Sequence, residues 1–451
     1  MVNRKAVFVL LVVCFGCLTD DKIGEVAVTQ PEMVKVTDDF SGSNVILISI
    51  DTLRGDRLGS YGYPINNSPT IDELAKDSVI FYNVLSASGM TEPSHKSMLT
   101  GKLVATHKND LSGSKTLAEV FKENGYATAA FTDGGKVHPV FGFGKGFDLY
   151  EVRDMKRVFT GFEDESFDHW IHDNAGNPFF IFLHYYHIHC PYTSPEPYRS
   201  QYTAYYTDRE TVDLLEKWCP SSRKKTVEYQ DTILESKNMI SDLYDAQIPA
   251  FDELVFKKII DTVKSAGVYN NTIIMVTSDH GEFLGENDIF GHGRLGWPGL
   301  KIPWIIHLPD NRASRFNFPA SGIDLTPTLL DLVNLSIPDD VDGISLKPLI
   351  LFGEKPERYL RIANSNNGER FFCDRAMKKA IIIPRPKDDK YKILARDKTY
   401  TDDEEAPFVL QCLNETLAIR SRDKGVPLSP STTLRITKEL RKQLRDLGYL
   451  D

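Results

Sequence analysis

The chain has 451 residues, of which 41% are hydrophobic and 26% are charged, and its formal net charge is -10. This length is enough for one large core with a smaller appended domain, and the composition is that of an ordinary folded protein. The acidic balance argues against a general nucleic-acid binder, which usually presents a basic face, so we expect no nucleic-acid partner. An anionic substrate stays compatible with it, because a bound metal ion can reverse the local field.

The N-terminus has the layout of an export signal. Arg4 and Lys5 precede a short apolar run that ends near Cys17, and polar residues follow. This pattern is typical of a secretory signal, and the run is shorter than the about 20 apolar residues of a membrane span. The Gly-Cys end also resembles a bacterial lipoprotein signal. We therefore predict a signal over residues 1–17, a tether over residues 18–43, and a secreted, periplasmic or cell-envelope protein, with lipid anchoring through Cys17 as an open alternative.

Apolar runs predict the strands of a buried sheet. Residues 44–50 form an almost continuous β-branched run, which is typical of a strand buried on both faces. Similar runs occupy residues 178–184, 272–278 and 303–308. Helical patterns lie between the runs, at residues 70–76, 116–124, 240–266 and 325–332. This alternation predicts an α/β sandwich over residues 44–350, with a mostly parallel central sheet flanked by helices.

The pattern changes after about residue 350. Short strand-like runs, separated by charged turns, cover residues 380–384, 391–395 and 407–413, and a helical pattern covers 433–447. We predict a smaller C-terminal subdomain over residues 351–451, built from a small antiparallel sheet with a helix. Export permits one or two disulfides among the cysteines that follow the signal, which are Cys190, Cys219, Cys373 and Cys412. Of these, Cys373 and Cys412 are the first pairing to test.

Ionisable residues stand where the predicted strands end. Asp51 follows the first run, histidines at 184–189 follow the second, and Asp279 with His280 follows the third. Ligands of open α/β sheets bind at the carboxyl ends of strands, so the sequence predicts one site there. Carboxylate oxygens and imidazole nitrogens suit a divalent cation. Taken alone, Asp279 and His280 would more simply cap the next helix; paired with Asp51 they favour a metal site.

Thr91 precedes a predicted helix that begins after Pro93. A hydroxyl at a helix N-terminus lies where backbone N–H groups and the helix dipole stabilise an anion. A nucleophile that attacks a phosphoryl or sulfuryl group would be well placed there, and a nearby cation would activate it. The simpler alternative for this segment alone is that Thr91 is the N-cap of the helix.

A series of ordered motifs resembles one enzyme family. The motifs are ILISIDTLRGDRLGSYGY, SPTIDELAKDSVIFYN, TEPSHKSMLTG, PFFIFLHYYHIHCPY, TSDHGEFLGE followed by GHG, IDLTPTLLDLVN and DGISLKPLI. In this order, over residues 44–350, they resemble the sulfatase family of the alkaline phosphatase superfamily. The closing LRDLGYL is also similar to that of many members. The resemblance implies an alkaline-phosphatase-like sandwich fold.

The resemblance also implies roles for individual residues. The expected metal contacts are Asp51, Thr91, Asp279 and His280, with Thr91 at the nucleophile position. The other residues expected to take part in catalysis are His95 at a family arginine position, His189, His292 at a family lysine position, and Lys136 with His138, which resemble a family Lys-x-His pair. We expect one divalent metal ion, calcium or a transition metal such as zinc or manganese. A second site built from His187, His189 and His292 is the less favoured alternative.

Two departures from the family pattern bear on the chemistry. Sulfatases carry Cys or Ser at the nucleophile position, within a C/S-x-P-x-R signature, and convert it to formylglycine. Thr91 is not a substrate for that conversion, and it lacks the second hydroxyl that expels sulfate from the covalent intermediate. Thr52 also stands where a sulfatase usually has a second metal-binding Asp, which lowers the charge of the ligand set and favours a transition metal.

These features predict a metal-dependent sulfatase-like hydrolase that cleaves sulfate or phosphate esters of small molecules or glycans through Thr91. A phosphodiesterase, a phosphonate hydrolase or a phospho-group transferase of the cell envelope is the first alternative, because a threonine nucleophile suits phosphorus. A non-catalytic protein that binds anionic glycans is the second. Retention of Asp51, Asp279 and His280 argues against a pure binder, which has no need of a metal cage. A structural protein of the envelope has only the predicted anchor in its favour.

Overall fold

A computed structural model describes residues 38–104, 110–153, 165–219 and 230–356, and the course of four short strands between residues 361 and 395. The predicted signal, nearly all of the tether, the strand predicted at 407–413, the helix predicted at 433–447 and Cys412 lie outside the described residues. Among the described helices, none combines the length and the apolar character that a membrane span requires.

The centre of the molecule is a sheet of 9 strands in the order β10-β2-β9-β6-β1-β5-β3-β4, with β11 also paired to β2. Its strands are β1 (Asn44–Ile50), β2 (Ser78–Leu85), β3 (Ala127–Thr132), β4 (Leu149–Val152), β5 (Phe179–Tyr185), β6 (Thr272–Thr277), β9 (Lys301–His307), β10 (Ser314–Phe316) and β11 (Ala320–Ser321). Only β9 runs against the other strands of this sheet. A separate hairpin pairs β7 (Phe283–Leu284) with β8 (Phe290–Gly291). The predicted mostly parallel sheet is confirmed.

The first strand shows why the sheet lies at the centre. All seven residues of β1 are buried, as its continuous apolar run predicts. Ile46, Ile48 and Ile50 pack into a core on one face of the sheet. Val45 and Leu47 pack into a second core on the other face. Because successive side chains point to opposite faces, one apolar strand contributes to both layers.

Helices flank both cores. They are α1 (Pro69–Lys76), α2 (Thr91–Thr100), α3 (Leu117–Glu123), α4 (Glu165–Asn174), α5 (Tyr198–Thr203), α6 (Arg209–Glu216), α7 (Gln230–Glu235), α8 (Lys237–Asp245), α9 (Gln247–Phe251), α10 (Lys257–Ser265), α11 (Trp297–Leu300), α12 (Leu325–Leu332) and α13 (Lys347–Phe352). The helical stretch predicted over residues 240–266 is confirmed. It consists of α8, α9, a π-helical turn at Asp252–Phe256, and α10. Pro249 has no N–H to donate to the carbonyl of residue 245, which favours a break there.

The C-terminal region contains the small antiparallel sheet that the sequence predicts. It consists of β12 (Arg361–Asn364), β13 (Arg370–Cys373), β14 (Lys379–Ile383) and β15 (Lys392–Ala395), paired in chain order. The last two match the predicted runs at 380–384 and 391–395. The first two were not predicted, because their short sequences mix charged and apolar residues without a clear period.

Candidate active site

The carboxyl ends of the parallel strands meet at one edge of the sheet. Ser49 of β1 pairs with His184 of β5 on one side and with Thr277 of β6 on the other. The residues that follow these strands therefore leave the sheet side by side. The reversed direction of β9 brings the segment before Lys301 to the same edge. This is the edge at which the sequence predicts the site.

Asp51, Asp279 and His280 form a compact group there, which we call the strand-end cluster. All three are fully buried, and each offers one ligand atom within 4.8 Å of the other two. Asp279 uses Oδ1 to accept hydrogen bonds from the backbone N–H groups of His280, at 2.9 Å, and Thr52, at 3.3 Å. Within the described part of the chain, Oδ1 of Asp51 and Oδ2 of Asp279 have no hydrogen-bond partner. Two orphaned carboxylate oxygens side by side fit a cation.

The pKa shifts of the strand-end cluster also favour a bound cation. Burial raises the pKa of Asp51, and burial together with the Asp51 charge raises the pKa of Asp279 to about 7. Burial keeps the pKa of His280 well below its usual range, so its imidazole is neutral. Its Nδ1 donates to the carbonyl of Gly281 at 3.0 Å, which leaves the Nε2 lone pair free. A neutral imidazole and two buried carboxyl groups are a suitable donor set for a divalent ion.

Thr91 is the first residue of α2, and its hydroxyl enters the strand-end cluster. Oγ1 donates to Oδ2 of Asp51 at 3.2 Å and lies 3.3 Å from Nε2 of His280. The N-cap is Met90, and no side chain caps this helix, so the alternative that Thr91 is an N-cap is wrong. The helix also begins at Thr91, earlier than the predicted start after Pro93, so that Pro93 lies inside its first turn. The hydroxyl is thus held beside acidic and imidazole groups at a helix N-terminus.

His95 lies one turn along α2, fully buried beneath Thr91. Its Nδ1 donates to the carbonyl of Thr91 at 2.9 Å, and its Nε2 bonds the hydroxyl of Ser49 at 2.9 Å. Burial lowers the pKa of His95 to about 4, so it is neutral. Both ring nitrogens are engaged within the protein, and Oδ2 of Asp279 is 3.6 Å from Nδ1. This geometry favours support of Thr91 over the substrate contact that the sequence predicts.

His189 and His292 lie together beside the strand-end cluster. Their ring centroids are 4.9 Å apart, and the ring of His292 stacks on that of His280 at 4.7 Å. His189 donates from Nδ1 to the carbonyl of Cys190 at 2.6 Å, which leaves Nε2 free. Burial alone would lower the pKa of His292, but the hydrogen bond and charge of Glu282 raise it to about 9. The structure thus brings both predicted histidines to the site.

Lys136 and His138, which we call the rim pair, lie farther out. The Lys136 side chain is 60% exposed, and its Nζ lies 3.9 Å from Oε2 of Glu92, the residue after Thr91. His138 is exposed, and its Nδ1 accepts a hydrogen bond from the backbone of Val140. Among the described contacts, none joins the rim pair to the strand-end cluster.

Three features of the site were not given individual roles by the sequence analysis. His184 is fully buried, and its Nε2 lies 3.6 Å from Oδ2 of Asp51. Glu282 is fully buried beside His292, although its place in the TSDHGE motif was visible. A disulfide joins Cys190, the residue after His189, to Cys219. Its partners are 29 positions apart in sequence, so neither spacing nor motif could have paired them. The pairing that the sequence analysis put first, Cys373 with Cys412, stays a prediction, because Cys412 lies outside the described residues.

Comparison with known proteins decides the family. Residues 43–335 match the family model described as Sulfatase. The chain belongs to the sulfatase family. It is 27% identical to the ulvan-active sulfatase of Formosa agariphila over 361 residues, 70% of this chain and 66% of that protein, so it spans about two thirds of that relative's length. It is 25% identical to an arylsulfatase of Clostridium perfringens, over 68% of this chain and 78% of that protein.

Solved sulfatase-like structures share the fold. The phosphonate monoester hydrolase of Agrobacterium radiobacter superposes with a TM-score of 0.66 at 19% identity, covering 84% of this chain and 96% of that one. A structure in complex with its substrate D-glucosamine-2-N,6-O-disulfate superposes with a TM-score of 0.68 at 18% identity, covering 84% and 98%. The alkaline-phosphatase-like sandwich is confirmed. Membership of this family makes the chain a hydrolase of ester bonds.

Proposed function

We propose that the chain is a metal-dependent hydrolase in which Thr91 attacks the phosphorus or sulfur of an anionic ester. The observation that carries this proposal is the position of the Thr91 hydroxyl, 3.2 Å from Oδ2 of Asp51 and 3.3 Å from Nε2 of His280, at the N-terminus of α2. A hydroxyl in this setting has proton acceptors on one side and a helix dipole on the other. Asp51, Asp279 and His280 would hold one divalent ion, which when bound supplies positive charge to the reacting ester.

The chain's own residues account for the remaining steps. Thr91 gives its hydroxyl proton to Oδ2 of Asp51 and forms a bond to phosphorus or sulfur, and the ester oxygen leaves with its electron pair. With Nδ1 fixed on the carbonyl of Cys190, a second proton on the His189 ring is carried by Nε2, which hands it to that oxygen. His292 lies beside it to contact the other ester oxygens. Water then cleaves the covalent Thr91 ester. Nε2 of His189, which is neutral after the first step, takes up a proton of that water, and Thr91 regains its proton from Asp51.

The threonine side chain favours phosphorus over sulfur. It has a single hydroxyl, so release of the covalent intermediate requires attack by water. The formylglycine hydrate of ordinary sulfatases has a second hydroxyl for this purpose. Phosphate and phosphonate esters of small molecules or glycans are therefore our first substrate class, and sulfate esters are the second. The likeness to phosphonate monoester hydrolases at the level of the fold is compatible with this order.

Purified protein of known metal content tests the proposal. The 4-nitrophenyl esters of sulfate, phosphate, a phosphodiester and a phosphonate are assayed with wild type, Thr91→Ala and Thr91→Ser. We expect turnover of a phosphorus ester, its loss in Thr91→Ala, and partial retention in Thr91→Ser, which keeps the hydroxyl. Turnover that survives in Thr91→Ala would overturn the assignment of the nucleophile. Bound metal without turnover of any ester would favour a non-catalytic binder of anionic glycans.

We also propose that the chain works outside the cytoplasm, attached to the cell envelope through Cys17. The apolar N-terminal run supports export, and the Cys190–Cys219 disulfide suits an oxidising compartment. Fractionation of cells that express the chain tests this. Wild type should partition with membranes, and Cys17→Ala should be released from them. Equal membrane attachment of both proteins would contradict the lipid anchor.

A further inference from the structure

Glu282 is a buried carboxylate for which the reaction above has no use. It lies three residues after Asp279, and its side chain is fully buried. Its Oε1 lies 3.5 Å from Nδ1 of His292, whereas its Oε2 has no hydrogen-bond partner among the described residues. A buried carboxylate is costly unless nearby polar groups compensate it. His292 is thus the group that compensates the buried charge of Glu282.

The loop that carries His292 is held firmly at the site. Gly293 has a φ of 86°, a conformation that suits glycine, and its N–H donates to the carbonyl of Gly89 at 2.7 Å. On one side the imidazole of His292 stacks on His280, with the ring planes 29° apart. On another side it meets His189. Stacking sets the plane of the His292 ring. The contact at Nδ1 then decides which ring nitrogen points away from Glu282.

We propose that Glu282 is a positioning residue whose carboxylate accepts the Nδ1–H of His292 and thereby directs Nε2 toward the ester. The two nitrogens of imidazole differ, and the hydrogen bond that one makes sets the state of the other. Carboxylates behind histidines have this effect in hydrolases and in metal sites. What Nε2 contacts rests on the proposed function, whereas the hydrogen bond between Glu282 and His292 does not.

The residue type at position 292 makes such a partner necessary. Family resemblance places a lysine there, and an ammonium group is a compact charge with three rotating donors that needs no partner to select a face. An imidazole presents a donor or an acceptor depending on its tautomer and ring orientation. His292 therefore needs a fixed acceptor at Nδ1, and Glu282 is the acidic group within reach.

Nitrogen NMR of the full-length, metal-free protein at alkaline pH tests the hydrogen bond directly. Histidines are labelled with ¹⁵N, and the signals lost in His292→Gln identify that ring. We expect a proton on Nδ1 of neutral His292 in wild type and a mixture of tautomers in Glu282→Leu. Glu282→Gln, which still offers a carbonyl acceptor, should lie between them. A proton on Nε2 in wild type, or signals unchanged in Glu282→Leu, would overturn the proposal.

Glu286→Gln is the matched control. This nearby carboxylate pairs with Arg54 at 2.6 Å, so its loss should leave the His292 signals unchanged. A shift as large as that of Glu282→Leu would mean that the tautomer responds to general loss of charge, which contradicts a specific role for Glu282.

Activity and metal content supply the second readout. We expect Glu282→Leu to lower kcat/KM by about 10- to 100-fold, the usual effect of removing the partner of a functional histidine, with metal content unchanged. Loss of metal would make Glu282 a ligand and would overturn the positioning role, as would full activity with a mixed tautomer. If wild type cleaves no ester, the proposed function fails, and the NMR result still decides whether Glu282 orients His292.

Discussion

The strand-end cluster and the rim pair were both expected to be functional, yet the first is buried and the second is exposed. Asp51, Asp279 and His280 lie within a few ångström of one another, fully buried. Lys136 and His138 are exposed and have no described contact with them. The cluster follows strands directly, so sheet register fixes its geometry. The rim pair follows β3 by several residues, beyond Gly134 and Gly135, which both have positive φ. Residue type therefore predicts a functional role best where the residue directly follows a strand, because the sheet then fixes the position of its side chain.

Loss of a cluster carboxylate should have the largest effect of any change outside Thr91. Asp279→Asn removes one of the two charges that would hold the ion, so we expect metal content to fall. We expect kcat/KM to fall by more than about 100-fold, because even outer partners of metal ligands typically change affinity or activity by about 10- to 100-fold. Elemental analysis and kinetics measure both. Asp324→Asn is the control, since that buried Asp bonds the backbone of Ser321 and Ile344 instead. Full metal content in Asp279→Asn would contradict the role of the cluster.

The same substitution should change how stability depends on pH in metal-free protein. Burial and the Asp51 charge raise the pKa of Asp279 from 3.8 to about 7, so the folded state keeps a proton that the unfolded state releases. This stabilisation is fully present below about pH 4 and is lost as the pH rises through about 7. Asp279→Asn should therefore gain stability over wild type across that range, on the order of a few kcal/mol. Denaturant unfolding at both pH limits measures it. A difference that does not vary with pH would contradict the prediction.

His189 is intermediate between the strand-end cluster and the rim pair, because it lies on a loop but beside the cluster. His189→Gln should lower kcat/KM by about 100-fold, the lower end of general acid–base effects, and should leave metal content unchanged. The loss should be smaller for esters with a good leaving group, which needs less help from a proton. His172→Gln, an exposed histidine on α4, is the control and should keep full activity. Equal losses for good and poor leaving groups would argue against proton transfer by His189.

The rim pair should have the smallest effect. The contact of Lys136 with Glu92 is exposed, and such ion pairs contribute about 0–1 kcal/mol. We therefore expect Lys136→Ala and His138→Gln each to change kcat/KM by less than about fivefold. Steady-state kinetics with the best phosphorus ester measures this. A loss as large as that of His189→Gln would show that the rim residues reach the ester during turnover.

The sequence predicts the features that strands and motifs determine, and it misses those that depend on contacts between distant segments. The runs at 44–50 and 272–278 predict β1 and β6 almost to the residue, because apolar β-branched runs have few other uses. Thr91 and the strand-end cluster follow from strand ends and motif order. The neutral, fully engaged state of His95 does not, since it depends on burial in the folded core and on a hydrogen bond to Ser49, which is 46 positions away in the chain. The pairing of Glu282 with His292 likewise depends on how one loop turns back on another.

The position of Thr91 at the start of α2 has a consequence for how the protein is made. A formylglycine enzyme is inert until a second enzyme has oxidised its nucleophile. In the reaction proposed here the nucleophile is complete on leaving the ribosome. Expression in a host without that maturation machinery should therefore yield protein with the same specific activity as expression in a host that has it. A gene of this kind can therefore move between organisms without a second gene for the formylglycine-generating enzyme.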